Sequence, residues 1–96
     1  STSRVRFEII TVASERRVFS INRMVKRNIS YEELHELVAD LIVAVPSRAN
    51  HLSNKYDLRL LENDKTGELL EVLLTKQCLK QFPLENNCQV RVVVKD

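Results

Sequence analysis

Between Ser30 and Pro46 the chain carries one complete helical signature, and the rest of the sequence must be arranged around it. Ser30 is a good N-cap, and Glu33 three residues later completes a capping box. Ile29, just before the cap, can staple onto Leu34. Leu34, Leu37, Val38, Leu41, Ile42 and Val45 then recur at helical spacing until Pro46 stops the run. The acids Glu32 and Glu33 fall in the first turn, where the helix dipole favours negative charge. A helix with a single apolar stripe must lay that stripe against another layer.

The flanking segments alternate with the period of strands, which makes a sheet the expected layer. From Arg4 to Val12, Val5, Phe7 and Ile9 alternate with Arg4, Arg6 and Glu8, the pattern of a strand with one wet face. Ala13-Ser14-Glu15 supplies a turn, and Arg16 to Ile21 returns with Phe19 and Ile21 inward and Arg16 and Val18 outward. After a polar connection from Pro46 to Lys55, Tyr56, Leu58 and Leu60 alternate with Asp57 and Arg59 as a third strand. The turn Asn63-Asp64-Lys65-Thr66-Gly67 holds the single glycine of the chain and leads into a fourth strand, Leu69 to Leu74. Lys76 to Phe82 reads as a short helix started by Thr75 and halted by Pro83. Cys88 to Lys95, with Cys88, Val90, Val92 and Val94 on one side, closes the series as a last strand.

The order ββαββ, a short helical turn, then β predicts an α+β fold: one mixed sheet covered on one face by one long helix. The last strand is expected centrally, parallel to the first, because the helix forms a crossover. A length of 96 residues with no linker or repeat makes one domain, residues 1–96. The apolar fraction of 44% is normal for a globular chain, and with five aromatics and no Trp the core must be built mainly from Leu, Ile and Val. No stretch approaches the uncharged apolar length of a membrane span, and the start Ser1-Thr2-Ser3-Arg4 has no hydrophobic region of a secretory signal. The expected compartment is the cytoplasm, with Cys78 and Cys88 as reduced thiols.

Reactive chemistry is sparse. His35 lies one position past the apolar stripe and reads as a surface histidine, and His51 falls in a loop without a visible partner. A single glycine leaves no phosphate-cradling loop, no Cys/His set matches zinc, and Asp57, Glu62 and Asp64 do not match an EF-hand. Glu32 and Glu36 sit one turn apart on a wet face, with no evident source for a shifted pKa. The reading is therefore a noncatalytic domain with no cofactor and no metal.

Charge carries the remaining information. The net charge of +2 is too small to argue for nucleic acid, and few aromatics are available for base stacking. Its distribution is polarised: residues 1–29 hold seven basic groups against two acidic, and residues 30–45 hold four acids and no Lys or Arg. With half the sheet open, the outward residues Arg6, Arg16, Arg17, Arg91 and Lys95 are candidates for an exposed polar surface. Guanidinium groups on a rigid sheet suit carboxylates, which they bind through bidentate, charge-assisted bonds. Arg6, Arg16 and Arg17 are the residues expected to meet an acidic partner protein.

The strings Arg4-Val5-Arg6-Phe7-Glu8, Glu15-Arg16-Arg17-Val18, Ile29-Ser30-Tyr31-Glu32-Glu33-Leu34 and Tyr56-Asp57-Leu58 resemble the Phox and Bem type (PB1) interaction domain, nearest to those of MAP kinase kinase kinases. The resemblance implies a ubiquitin-like β-grasp fold and front-to-back pairing, one partner giving a basic patch and the other an acidic loop. Arg6 then occupies the first-strand lysine position of the family, and Arg16 and Arg17 its second-strand basic positions. The family's acidic motif is not reproduced in residues 61–67, so the implied role is that of the basic partner in a signalling or scaffolding heterodimer, the free chain being a monomer. A second ubiquitin-like type, the Ras-binding or Ras-association domain, is similar in strand order and in its basic second strand. It would pair with a small GTPase by strand addition, although Glu32 and Glu33 would lie near the acidic switch of that partner.

Overall fold

The structure is a computed structural model that describes residues 1–11, 17–44 and 55–95, with Arg17 and Val18 described through their backbone. Five strands and two helices follow in the order β1 (Thr2–Thr11), β2 (Arg17–Lys26), α1 (Tyr31–Val43), β3 (Tyr56–Asn63), β4 (Leu69–Leu73), α2 (Lys76–Gln81) and β5 (Cys88–Val94). They form one sheet in the spatial order β2-β1-β5-β3-β4. The last strand is central and parallel to β1, while β2, β3 and β4 join by antiparallel pairing. The expected crossover is therefore present, and the mixed sheet follows from it.

The helical layer departs from expectation. The helix expected to be long has only 13 residues, while the short helix expected before Pro83 is present as α2, with 6. The helix α1 ends at Val43, before the Pro46 that marked its predicted stop, and Val45 lies outside the described residues. Its start is as predicted: Glu33 N donates to Ser30 Oγ at 3.0 Å, and Ser30 N donates to Glu33 Oε1 at 3.1 Å. Thr75 caps α2 in the same way, its hydroxyl accepting from Cys78 N at 3.1 Å. No helix among the described residues is long and apolar enough to cross a membrane.

Alternation in the strands decides which residues are buried. Val5, Phe7 and Ile9 of β1 and Val90, Val92 and Val94 of β5 are fully buried, and they share one apolar cluster with Leu34, Val38 and Leu41 of α1 and Leu79 of α2. Phe19 and Ile21 pack on its margin as predicted. Both cysteines are half-buried free thiols, and burial pushes the Cys88 thiol up from its ordinary value.

The first hairpin is longer than the pattern indicated. The strand β2 continues past Ile21 to Lys26, and the ladder runs from Thr2–Lys26 to Ile9–Phe19. Asn22, Arg23 and Lys26 break the apolar alternation, yet they are tolerated because β2 is an edge strand and polar side chains there stay wet. Between the pairs Ile9–Phe19 and Ile10–Arg17 the register shifts, leaving Val18 as the extra residue of a bulge. The turn Ala13-Ser14-Glu15 and residues 46–54 of the polar connection lie outside the described residues.

Two local devices hold the remaining joints. At the β3–β4 turn, Asp64 Oδ1 accepts from Thr66 N, Thr66 Oγ1 and Glu68 N at 2.6–2.9 Å, and Gly67 supplies the positive φ of 85° that closes it. Before β5, Asn87 adopts a φ of 68° and donates its N–H to Arg4 O at 2.7 Å, while Asn86 Oδ1 accepts from Arg4 N at 2.8 Å. The entry to β5 is thus anchored on the start of β1.

Candidate partner-binding surface

The register of the ladders assigns the open face of the sheet. From β2 to β4 it carries Ser20, Asn22 and Met24, then Arg4, Arg6 and Glu8, then Gln89, Arg91 and Val93, then Asp57, Arg59 and Leu61, and finally Leu69, Glu71 and Leu73. Its two halves differ in what their cations do.

On the β3 and β5 side the arginines are held by the domain's own acids. Arg91 Nε lies 2.8 Å from Glu8 Oε1, and Arg91 Nη1 bonds Glu71 Oε1. Arg59 Nη1 lies 3.3 Å from the other oxygen of Glu71, and Gln89 Nε2 reaches Glu8 at 3.4 Å. Burial alone would lower the Arg91 pKa, but the bonds to Glu8 and Glu71 outweigh it and the net direction is upward. Glu8, expected on a wet face, is buried under this network. Lys95 is likewise 3.4 Å from Asp57. Neither Arg91 nor Lys95 is therefore available in the manner of an unpaired surface cation, which corrects the sequence reading of both. The cause is long-range: Glu8 and Arg91 become neighbours only through the parallel pairing of two strands from opposite ends of the chain.

On the β1 and β2 side the situation is reversed. Arg6 is exposed, and its Nε donates to the Ser20 hydroxyl at 3.1 Å, a neutral partner that orients the guanidinium without neutralising it. Arg4 is exposed one pair away, opposite Met24. Arg23, paired with Val5 and so on the opposite face of the same edge strand, is exposed and donates to the carbonyl of Asn22 at 3.4 Å. None of these three takes part in the ion pairs among the described residues. Of the other two predicted contact residues, Arg16 lies outside the described residues, and Arg17 is placed by its backbone at the register position opposite Ile10.

The remaining basic groups of the N-terminal third are consumed structurally. Lys26 Nζ is 2.7 Å from Glu33, and Arg27 is 2.7 Å from Glu85. The Lys26 ammonium and the capping bonds to Ser30 hold the Glu33 carboxyl down at about 2. Lys76 does the same for Glu32 at 2.9 Å, lowering the carboxyl and raising the amine.

His35 also departs from the surface residue expected. Its Nδ1 and the Tyr56 hydroxyl are hydrogen-bonded at 2.7 Å, and its ring packs between Tyr31 and Tyr56, with centroids 4.3 and 5.4 Å away. Its Nε2 is buried without a partner, and desolvation lowers its pKa. The Tyr31–His35 spacing of one helical turn was visible in the sequence, whereas the approach of Tyr56 from β3 was not. Among the described residues, no three His, Cys, Asp or Glu side chains gather in a group able to hold a metal ion.

No known family profile matches the chain, and no curated protein matches it either. Among solved structures, the C-terminal ubiquitin-like domain of mouse tubulin-specific chaperone e matches over 100% of this chain and 91% of that one, with 15% identity and a TM-score of 0.52. The likeness agrees with the strand order β2-β1-β5-β3-β4 and with the helical crossover between the two hairpins. The chain thus has the ubiquitin-like β-grasp fold, an α+β architecture.

Proposed function

We propose that this is a noncatalytic protein–protein interaction domain that binds an acidic surface of another protein through Arg6, Arg16 and Arg17. One observation carries the reading. Arg6 stands exposed on the open face with a hydroxyl partner, while Arg91 and Arg59 on the same face are already bound to Glu8 and Glu71. A guanidinium that keeps its charge uncompensated, on a stiff sheet, gains most from an incoming carboxylate. Arg4 extends the same basic half. In its finer form the reading is heterodimerisation of the Phox and Bem type, with this chain as the basic partner, in a cytoplasmic signalling or scaffolding protein.

The test is a titration with a purified Phox and Bem type domain that presents an acidic loop, at two salt concentrations. Arg6→Glu and the double change Arg16→Glu, Arg17→Glu should each abolish binding while leaving thermal unfolding unchanged. Unaltered affinity in either variant would reject the patch.

A second reading rests on the position of β2 at the edge of the sheet, where its free backbone could accept a strand of a small GTPase. In that case binding should require the GTP-bound state of the partner. Equal binding to both nucleotide states eliminates it.

A further inference from the structure

The two edges of the sheet are built differently. The β2 edge displays Asn22, Arg23 and Lys26, charged and polar residues of the kind that keep an edge from pairing. The opposite edge, β4, reads Leu69-Leu70-Glu71-Val72-Leu73, and all five residues are exposed. Its four apolar side chains keep 38–55% of their surface in solvent, Leu69 and Leu73 on the open face and Leu70 and Val72 on the helical face. A row of free backbone groups flanked by apolar side chains on both faces is a template for strand addition.

Backbone geometry identifies the free groups. Leu74 N donates to Leu58 O at 2.8 Å, so by strand alternation Val72 and Leu70 also direct their backbone groups toward β3. Leu69, Glu71 and Leu73 direct theirs outward.

We propose that β4 is the interface of a homodimer, in which two copies pair their β4 strands antiparallel about a twofold axis and extend the sheet from five strands to ten. Charge complementarity argues for a second copy as the occupant. Glu71, the one charge within the strand, is already bound by Arg91 and Arg59, so two copies do not bring bare carboxylates together. Antiparallel pairing sets the Glu68 end of one β4 against the Thr75–Lys76 end of the other, bringing an exposed carboxylate on both sides of the axis toward the Lys76 ammonium, which holds Glu32 at 2.9 Å and keeps two further donors for a second acid. The same apolar residues then meet each other, as an isologous contact requires. Because β4 and β2 are opposite edges, dimerisation leaves Arg4 and Arg6 of β1 accessible and presents two basic surfaces separated by on the order of 34 Å, seven strand spacings. Such a dimer binds a multivalent acidic partner with avidity.

Sedimentation equilibrium over a wide concentration range tests the proposal. The wild-type chain should rise from 11.2 kDa toward twice that mass. Leu73→Lys and Val72→Lys should hold it at the monomer mass, and Met24→Lys on the far side of the sheet should not. A wild type that stays monomeric at the highest concentration overturns the proposal, as do β4 variants that dimerise like the wild type. Amide exchange of the wild type provides a readout without substitution. Protection at Glu71 and Leu73 should increase with concentration, and protection independent of concentration rejects β4 as the interface. Acidic-partner binding by monomeric Leu73→Lys separates this outcome from a failure of the Arg6 surface.

Discussion

Replacing Leu41 by Ala probes the contact on which the architecture depends, the last turn of α1 against the sheet. Leu41 keeps 2% of its surface exposed, whereas Val43, two residues on, keeps 83%. Truncating Leu41 removes three buried carbons, worth roughly 2–2.5 kcal/mol at about 0.8 kcal/mol per methylene. The cavity term brings the expected cost to about 3 kcal/mol, near the low end of the range for buried leucines, because a site at a helix end can relax. Against a total stability of roughly 5–14 kcal/mol for a domain of this length, that is a large loss. Urea unfolding followed by circular dichroism should show the midpoint lowered by roughly 2–3 M with the slope unchanged. Val43→Ala should move stability by no more than about 0.5 kcal/mol, as surface substitutions do. If the two variants lost equal stability, the assignment of Leu34, Val38 and Leu41 to the buried stripe would be wrong.

Other consequences can be checked in the same way. Ser30→Ala should cost about 1 kcal/mol by removing the cap of α1. Since the Glu33 carboxyl is lowered from 4.5 to about 2, its contribution is complete above 4.5 and should disappear as pH falls to about 2, a loss absent from Glu33→Gln in an acid titration of stability. His35 is lowered, so the folded state resists its protonation: stability should be complete above the ordinary value of 6.5 and decline as pH drops below it. The groups facing it are Tyr31, Glu32 and Tyr56, and His35→Gln should flatten the decline in urea titrations between neutral and mildly acidic pH. Arg91→Ala should destabilise the fold by about 1–3 kcal/mol through loss of its charged hydrogen bonds to Glu8 and Glu71. Arg6→Ala should leave the thermal midpoint nearly unchanged, and a comparable loss in both variants would refute the division of the open face into a held half and a free half.

Much of this division was invisible in the sequence for a definite reason. Arg6 and Arg91 have the same local setting, a basic residue alternating with apolar ones in a strand. They differ because parallel pairing sets Glu8 across from Arg91, and because Glu71 approaches from β4. The exposed apolar edge at β4 was likewise hidden: Leu69 to Leu74 reads simply as a fourth strand, and only its place at the end of the strand order leaves its outer side without a neighbour. The length of β2 was underestimated because Asn22 and Arg23 resemble loop residues, and an edge position removes the penalty they would pay in a central strand.

What the chain specified locally was its set of elements and their inward faces. The capping box at Ser30, the stripe from Leu34 to Leu41, the Asp64–Gly67 turn and the alternation of β1 and β5 all follow from interactions within a few residues. Tertiary structure alone decided which cations are neutralised, that His35 packs between two tyrosines, and which edge is bare. Charge pairing and solvent exposure depend on neighbours brought together from distant parts of the chain, and only the order in which strands pair supplies those neighbours.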